Sequence, residues 1–278
     1  MQSICFVLLS GGLSSRMTRD KGLIPLGNKL LIQYVLDSID SFLHTLNLDS
    51  QIPVKIVLNN YIQQDEYMEA VPSLKEDQII IDEVVWNKLF SDIPQPPRGS
   101  IFGLYTAMAE LKSDFSNVFV LPCDTPLVSV TVLSHIFNEY FKNDLLKKRR
   151  RRKTKSYNTY IPQWSSGKFE PFFSIYHIKS ILPILEQKIF KKHYSFQKTF
   201  EEIRTNSEIN DKSGKDYEIK MVPIPIEKEL QKYDENLYNF MDVDSEENLR
   251  VIEEIILKNP LLKKDHSVLP NKSDGFIK

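Results

Sequence analysis

The sequence predicts an α/β fold in which helices cover both faces of a mostly parallel β-sheet, giving three α/β/α layers. Residues 3–10 (SICFVLLS) carry an unbroken apolar run, which is typical of a strand buried on both faces of a parallel sheet. Strand-like and helix-like segments then alternate along the first half of the chain. This order favours parallel strands joined by helices.

The elements after the first strand are assigned from the spacing of apolar residues. Apolar side chains from Leu31 to Phe42 recur at helical intervals, so we predict a helix over residues 29–46. Short continuous apolar runs predict strands, and longer stretches between turn residues predict helices. The predicted strands are 54–60, 78–83, 117–122 and 172–176, with an extended segment at 218–226, and the other predicted helices are 61–71, 100–112, 129–143, 177–189 and 245–258.

Composition and charge exclude several classes of function. The 278 residues carry a formal net charge of −1, which argues neither for nor against a polyanionic partner, so any electrostatic function must be local. We do not expect nucleic acid as a partner. The short N-terminal apolar run has no basic stretch before it, and no apolar stretch approaches the ~20 residues of a membrane span. Two cysteines, Cys5 and Cys123, cannot form a disulfide framework. These features predict a cytoplasmic protein with two reduced, buried thiols and without membrane contact.

A run of eight basic residues in nine, KKRRRRKTK, occupies positions 147–155. Like charges repel one another, so we interpret the run first as a solvated loop. A contact with an anionic ligand, and a nuclear-import or nucleic-acid patch, are the alternatives.

The ends of the predicted strands indicate where a ligand binds. In open parallel sheets, ligands bind beyond the carboxyl ends of the strands. Small, amide and acidic residues follow the strands of this chain and would converge on one edge of the sheet: Gly11-Gly12, Asn59-Asn60, Asp82-Glu83 and Cys123-Asp124.

The first of these segments is a glycine loop with local positive charge. FVLLSGGLSSRMTRDKG (6–22) ends a buried strand in two glycines and then presents Arg16, Arg19 and Lys21. Backbone amides of such a loop can bind phosphate oxygens. The loop lacks the Gly-Lys-Ser/Thr of a P-loop and the G-x-G-x-x-G of a dinucleotide-binding turn. Taken alone, it is equally consistent with a tight turn carrying solvated charges.

Longer segments resemble a known family. Residues 8–39, LLSGGLSSRMTRDKGLIPLGNKLLIQYVLDSI, resemble the nucleotidyltransferase signature L-A-G-G-x-S-x-R-M-G-x-x-K-x-L-x-P-L-x-G-x-P-L-L. NNYIQQDEY (59–67), GSIFGLYTAM (99–108) and VLPCDTPLV (120–128) match further motifs in order, and FEPFFSIY (169–176) and MDVDSEENL (241–249) match more loosely. The chain therefore resembles the MobA-like molybdenum cofactor guanylyltransferases.

This resemblance implies a Rossmann-like fold of the nucleotide-diphospho-sugar transferase type. It also implies an Mg²⁺-dependent enzyme that transfers GMP from GTP to molybdopterin and releases pyrophosphate. The chain is longer than typical members. We therefore expect one domain over 1–258, with insertions near 84–99, 145–160 and 190–235 and a flexible tail over 259–278. Molybdoenzyme-maturation proteins are implied as further partners, and we expect a monomer or a weak oligomer.

The resemblance assigns roles to individual residues. Arg16, Lys21 and Asp124 are implied as catalytic residues, with Asp124 also holding Mg²⁺. The implied nucleotide-binding residues are Leu9, Ser10, Gly11, Gly12, Lys21, Asn60, Asp82 and Asp124. Asp124 also suits a turn in CDTP, and Asp82 also suits a plain strand end.

Several positions depart from the family pattern. Thr18 stands where the family has glycine, and Phe102 is bulkier than the family residue, so we expect it to reshape the floor of the pocket. Asp242 and Asp244 stand where the family has two asparagines on the acceptor side. Asp244 with Glu247 also resembles a capping box, so helix capping is a second interpretation.

Three functions follow from the sequence. The first is guanylyl transfer to molybdopterin. The second is transfer from CTP, or to another phosphorylated acceptor, although Gly11-Gly12 favours the guanylyl branch because cytidylyl relatives usually carry Ala-Gly there. The third is a nucleotide-binding protein of the same fold without turnover.

Overall fold

The computed structural model describes residues 4–10, 20–48, 51–89, 99–149, 155–205, 208–210 and 216–259. Within these ranges, the backbone alone is described for residues 89, 143–149, 155–157, 208–210 and 216–218. Gly11, Gly12, Arg16 and Thr18 lie outside the described residues, as does most of the predicted tail.

Ten described strands form one large sheet and one small hairpin. Eight strands make the large sheet in the order β5-β4-β1-β6-β8-β7-β10-β9, and β2 pairs with β3 in the hairpin. The strands are β1 (Ile4–Leu9), β2 (Pro25–Leu26), β3 (Lys29–Leu30), β4 (Val54–Leu58), β5 (Ile79–Ile81), β6 (Asn117–Pro122), β7 (Lys155–Gln163), β8 (Ser174–His177), β9 (Glu208–Asn210) and β10 (Asp216–Pro225).

The sheet is mostly parallel, as predicted. The neighbouring strands β5, β4, β1 and β6 run parallel to one another, with Phe6 of β1 opposite Phe119 of β6. Strand β8 runs antiparallel to β6 and β7, and β10 is parallel to β7 and antiparallel to β9. The carboxyl ends of β5, β4, β1 and β6 therefore meet at one edge of the sheet.

Eight described α-helices accompany the strands. They are α1 (Leu31–Thr45), α2 (Tyr61–Ala70), α3 (Asp82–Leu89), α4 (Ser100–Leu111), α5 (Val130–Arg149), α6 (Ile178–Phe190), α7 (Phe196–Thr205) and α8 (Glu246–Lys258). None of the described helices is long and apolar enough to cross a lipid bilayer.

The three layers follow from the alternation of side chains along β1. Phe6 and Leu8 point to one face and pack with α1 and α5, whereas Val7 and Leu9 point to the other face and pack with α4 and α6. Because every residue of β1 is buried, both faces need apolar side chains. The unbroken apolar run of the sequence is thereby explained, and the predicted three-layer α/β/α fold is confirmed.

Several element boundaries differ from the sequence predictions. The strand predicted to end at 83 ends at Ile81, and α3 begins directly at Asp82. Helix α5 continues to Arg149 rather than ending at 143, because leucine, lysine and arginine are good helix formers. The basic run is therefore helical at its start, and its residues 150–154 lie outside the described part.

Strand β7 was missed. It begins within the basic run, and β7 contributes a long parallel ladder with β10 to the sheet. The charge run dominates the sequence pattern there, and the apolar residues that follow it are too few to predict a strand by themselves. The two thiols behave as predicted, because Cys5 and Cys123 are free and buried.

The central aromatic residues allow a test of the core. Phe42 is fully buried, with its ring 5.7 Å from that of Phe6 and 5.4 Å from that of Phe137. Phe42→Ala is expected to lower the free energy of unfolding by about 3–5 kcal/mol, because the truncation leaves a cavity. The matched variant Phe190→Ala, at a residue that is 61% exposed, should cost less than about 1 kcal/mol. Equal losses in urea unfolding would contradict this packing.

Candidate active site

A cavity of about 320 Å³ opens at the carboxyl ends of the parallel strands. Its lining includes the last residues of β1 and β6, the first residue of α3 and the beginning of α4. Further lining residues come from distant parts of the chain and are Glu170, Phe172, Phe173, Phe240, Asp242 and Asp244. The strand-end rule of the sequence prediction therefore located this cavity correctly.

Lys21 lies at the centre of the charged part of the cavity. Its Nζ donates to Asp124 Oδ2 at 2.8 Å and also to Asp244 Oδ1. The side chain of Lys21 is 20% exposed and that of Asp124 is 15% exposed, so water screens the pair only in part. Burial alone would lower the pKa of Lys21, but Asp124 and then Asp244 outweigh burial and raise the pKa above its ordinary value.

A backbone hydrogen bond brings segment 240–244 to this lysine. Val243 N donates to Asp124 O at 2.9 Å, which fixes the segment across the end of β6. Val243 also packs in an apolar cluster with Ile24, Leu26 and residues of α8. The backbone bond and the packing of Val243 therefore hold the neighbouring Asp244 beside Lys21.

The capping interpretation of Asp244 is wrong. Ser245 is the N-cap of α8, and its Oγ accepts from Asn248 N at 3.2 Å. The Asp244 carboxylate faces Lys21 instead. A capping box is a local pattern and could not reveal an ion pair with a residue 223 positions away.

One end of the cavity carries a buried carboxylate. Asp82 begins α3, and its Oδ1 is buried without a hydrogen-bond partner among the described residues. Burial raises the pKa of Asp82 to about 6, although a hydrogen bond from Thr106 lowers it. Gly103 of α4 also lines the cavity, and a Cβ there would be in ordinary van der Waals contact with the side chain of Leu9 at 3.4 Å.

The beginning of α4 also faces the cavity. Gly99, with φ of 147°, occupies the N-cap position and adopts a conformation that favours glycine. Gly99 and Ser100 both contribute to the cavity lining. Amides at a helix N-terminus point outwards and favour anions.

The other end is aromatic and acidic and lies at the β8 side of the sheet, whereas Asp82 lies at the β5 side, because β4, β1 and β6 separate these two strands. The sequence analysis does not predict most of this end. Phe173 and Phe240 line it with ring centroids 5.2 Å apart, and Phe172 lies beside them. Burial raises the pKa of Glu170 to about 7 against the hydrogen bonds it receives from Phe172 N and Trp164. The match of FEPFFSIY to a family strand was the available signal.

Phe173 adopts a φ of 59°, which is unusual for a bulky residue. Such conformations cost free energy and concentrate at functional sites.

Five of the predicted residues meet at the cavity. They are Leu9, Ser10, Lys21, Asp82 and Asp124. Asn60 is not among the lining residues, and its Oδ1 caps α2 by accepting from Gln63 N at 2.9 Å. Phe102 is also not part of the lining, contrary to the expectation that it reshapes the floor. Its ring packs on Trp86 and Tyr194 at 5.4 and 5.0 Å.

The match to a family model decides the family. The model of the MobA-like NTP transferase domain matches residues 6–202, which is more than half of the chain. The chain belongs to the MobA-like NTP transferase family. Members of this family are nucleotidyltransferase enzymes, and the chain is accordingly an enzyme of the nucleotidyltransferase type.

Individual relatives agree with the family assignment. A probable molybdenum cofactor guanylyltransferase of Natranaerobius thermophilus is 24% identical over 89% of this chain and 93% of its own length. The molybdenum cofactor guanylyltransferase of Haemophilus influenzae is 30% identical over 51% of this chain and 60% of its own length.

Solved structures share the fold. The molybdopterin-guanine dinucleotide biosynthesis protein A from Archaeoglobus fulgidus has a TM-score of 0.60 at 22% identity, covering 91% of this chain and 98% of its own. A 4-diphosphocytidyl-2C-methyl-D-erythritol synthase from Anaerococcus prevotii has a TM-score of 0.54 at 12% identity, covering 92% and 96%.

The charged part of the cavity offers carboxylates that could hold a divalent cation together with a substrate. No group of three or more His, Cys, Asp or Glu side chains in the described ranges forms a metal cage. Asp124 and Asp244 nevertheless place two carboxylates on the ammonium group of Lys21. Asp242 also lines the cavity, and burial and the charges of Asp244 and Asp124 raise its pKa. Mg²⁺ commonly takes one or two carboxylates and completes its shell with phosphates and water.

Asp82 makes stability depend on pH. Burial raises its pKa from 3.8 to about 6, so between these values the native state retains a proton that the unfolded chain has lost. This contribution to stability is complete below about pH 4 and is lost as the pH rises to about 6. Asp82→Asn should therefore be more stable than wild type by about 1–3 kcal/mol at pH 7, with the difference vanishing towards pH 4.

Urea unfolding between pH 4 and 7 measures this difference. Asp114→Asn makes the same substitution at an exposed position, is the control, and should change the free energy of unfolding by less than about 0.5 kcal/mol. A difference between Asp82→Asn and wild type that stays constant with pH would refute the assigned burial.

Proposed function

We propose that this enzyme transfers GMP from GTP to a molybdopterin-type acceptor and releases pyrophosphate, with Mg²⁺ as its cofactor. The observation that carries the proposal is the position of Lys21, Asp124 and Asp244 between two differently lined ends of one cavity. A transferase that joins two substrates needs two binding regions with the reacting phosphates between them.

The reaction places few covalent demands on the protein. An oxygen of the acceptor phosphate attacks the α-phosphorus of GTP, and the bond from that phosphorus to the bridging oxygen of the β-phosphate breaks. Pyrophosphate carries away the electron pair. Catalysis then consists of aligning two anions and stabilising the charge between them.

Lys21 supplies the cation for this alignment. Its pKa is raised by its aspartate neighbours, so it remains an ammonium group at neutral pH. A bound triphosphate would replace carboxylate oxygens as its hydrogen-bond acceptors. Bound Mg²⁺, held by Asp124, would neutralise phosphate charge and orient the phosphates.

Asp82 Oδ1 has no hydrogen-bond partner among the described residues, and this supports guanine as the base. The Watson–Crick edge of guanine presents the adjacent donors N1–H and N2–H, which match the two acceptor oxygens of a carboxylate. Cytosine presents N3 and O2 acceptors beside its amino group, and these would face the carboxylate unfavourably. A buried polar group that gains its missing partner from the correct base discriminates strongly between bases.

The aromatic end of the cavity supports a flat, polar acceptor. Phe172, Phe173 and Phe240 offer apolar surface for a fused ring system, as a pterin provides. Glu170 lies at the same end, and its carboxyl group could accept hydrogen bonds from the N–H groups of a pterin.

A turnover assay tests the activity. The protein is incubated with Mg²⁺, molybdopterin cofactor and GTP, CTP or ATP in parallel, and the dinucleotide product is detected by mass spectrometry. Guanine dinucleotide and pyrophosphate are the expected products. A cytosine dinucleotide alone would instead identify a cytidylyltransferase. GTP binding without any product would identify a relative that has lost turnover.

Asp124→Asn tests the catalytic centre. We expect it to reduce turnover at least about 100-fold, because the amide cannot supply the charge that the metal and Lys21 require. Circular dichroism and melting temperature should show a folded protein. Asp114→Asn makes the same substitution at an exposed site and should retain wild-type turnover. Turnover by Asp124→Asn within a factor of about 3 of the wild type would contradict the role of Asp124.

A further inference from the structure

Asp20, the residue before Lys21, has a carboxylate that is bonded by three parts of the structure. Its Oδ1 accepts from Gly22 N at 3.0 Å and from the Tyr67 hydroxyl, and its Oδ2 accepts from Gln63 Nε2. The bond to Gly22 N also caps the single 3₁₀ turn that begins at Lys21. The carboxylate therefore fixes the backbone conformation at Lys21.

Helix α2 supplies both side-chain donors and binds the other end of the loop as well. Gln63 Nε2 donates to Ser10 O at 3.0 Å, and Tyr67 Oη is hydrogen bonded to Ser10 Oγ. Because the single hydroxyl proton of Tyr67 goes to Asp20, the hydroxyl of Ser10 donates to Tyr67. Ser10 and Asp20 are the described residues on either side of the glycine loop, so one helix holds both ends of it.

The network leaves no room for a larger residue beside Lys21. A Cβ at Gly22 would lie 2.7 Å from Ser10 Oγ and closer still to Tyr67 Oη. Tyr67 is fully buried and Ser10 nearly so, so neither side chain can move into water. Burial also raises the pKa of Tyr67 well above its usual range, which keeps the hydroxyl protonated as a donor.

We propose that Asp20 is a positioning residue that, through Tyr67 and Gln63 of α2, holds Lys21 in the place where it binds the phosphates of the nucleotide. The inference rests on the proposed function, because it gives Lys21 a phosphate to bind. Asp20 itself touches no reacting atom. Its effect on binding passes through the backbone of Lys21.

A merely structural network would behave differently from a positioning network. If Asp20 only stabilised the fold, its replacement would weaken GTP binding by the same factor whether or not residue 21 carried an ammonium group. If Asp20 acts through Lys21, its replacement should lose most of its effect on nucleotide binding once that group is absent. A double-mutant cycle separates the two cases.

The cycle compares wild type, Asp20→Asn, Lys21→Met and the double variant, with GTP and Mg²⁺ as the probe in calorimetric titrations. Asp20→Asn should weaken GTP binding about 10-fold when Lys21 is present, as expected for the loss of hydrogen bonds to a charged group. In the Lys21→Met protein the same change should weaken binding less than about 2-fold.

Tyr67→Phe provides a second route should Asp20→Asn fold poorly. It removes one hydroxyl from the network and should show the same dependence on Lys21. Tyr61→Phe, on the exposed surface of the same helix, is the matched control and should bind GTP as the wild type does.

The outcomes separate this inference from the proposed function. If the wild type binds GTP and both Asp20→Asn and Tyr67→Phe bind it equally well, the positioning role alone is overturned. Equal losses in the presence and absence of the Lys21 ammonium group overturn it too. If neither the wild type nor Tyr61→Phe binds GTP, the proposed function fails, and the inference fails with it.

Discussion

The ammonium group of Lys21, shared between Asp124 and Asp244, joins three segments of the chain at one point. The partners lie 103 and 223 residues away from Lys21 in the sequence. A partly buried lysine is unfavourable without counter-charges, and a partly buried aspartate such as Asp124 is unfavourable without a cation. Each group therefore requires the other. The backbone bond from Val243 to Asp124 O keeps the third segment in place beside them.

This mutual requirement links the fold to the chemistry. Carboxylates outnumber cations among the described groups at the centre of the cavity, and under the proposed function a further cation would arrive there with the phosphates. Lys21 can exchange carboxylate oxygens for phosphate oxygens without losing compensation of its charge. In the proposed role, the Asp20 network fixes the backbone of Lys21 while its ammonium group changes hydrogen-bond partners.

The sequence predicted those features that depend on local pattern. The buried run of β1, the order of strands and helices, and Asp82 and Asp124 at strand ends all follow from apolar spacing and the strand-end rule. Contacts between distant segments were not predictable in this way. Asp244 looked like a helix cap, Phe102 looked like part of the pocket, and the hydrogen bonds of Asp20 to Tyr67 and Gln63 had no counterpart in any local pattern. The sequence does not predict strand β7, because the basic residues at its start obscure the apolar pattern that follows.

The most direct test of the central claim is a crystal structure of the protein with Mg²⁺ and a non-hydrolysable GTP analogue. The account predicts Lys21 Nζ within about 3 Å of a phosphate oxygen. It also predicts an Asp124 oxygen about 2.1 Å from the metal, and the guanine edge against Asp82. A nucleotide bound elsewhere, with Lys21 still paired to both Asp124 and Asp244, would contradict it.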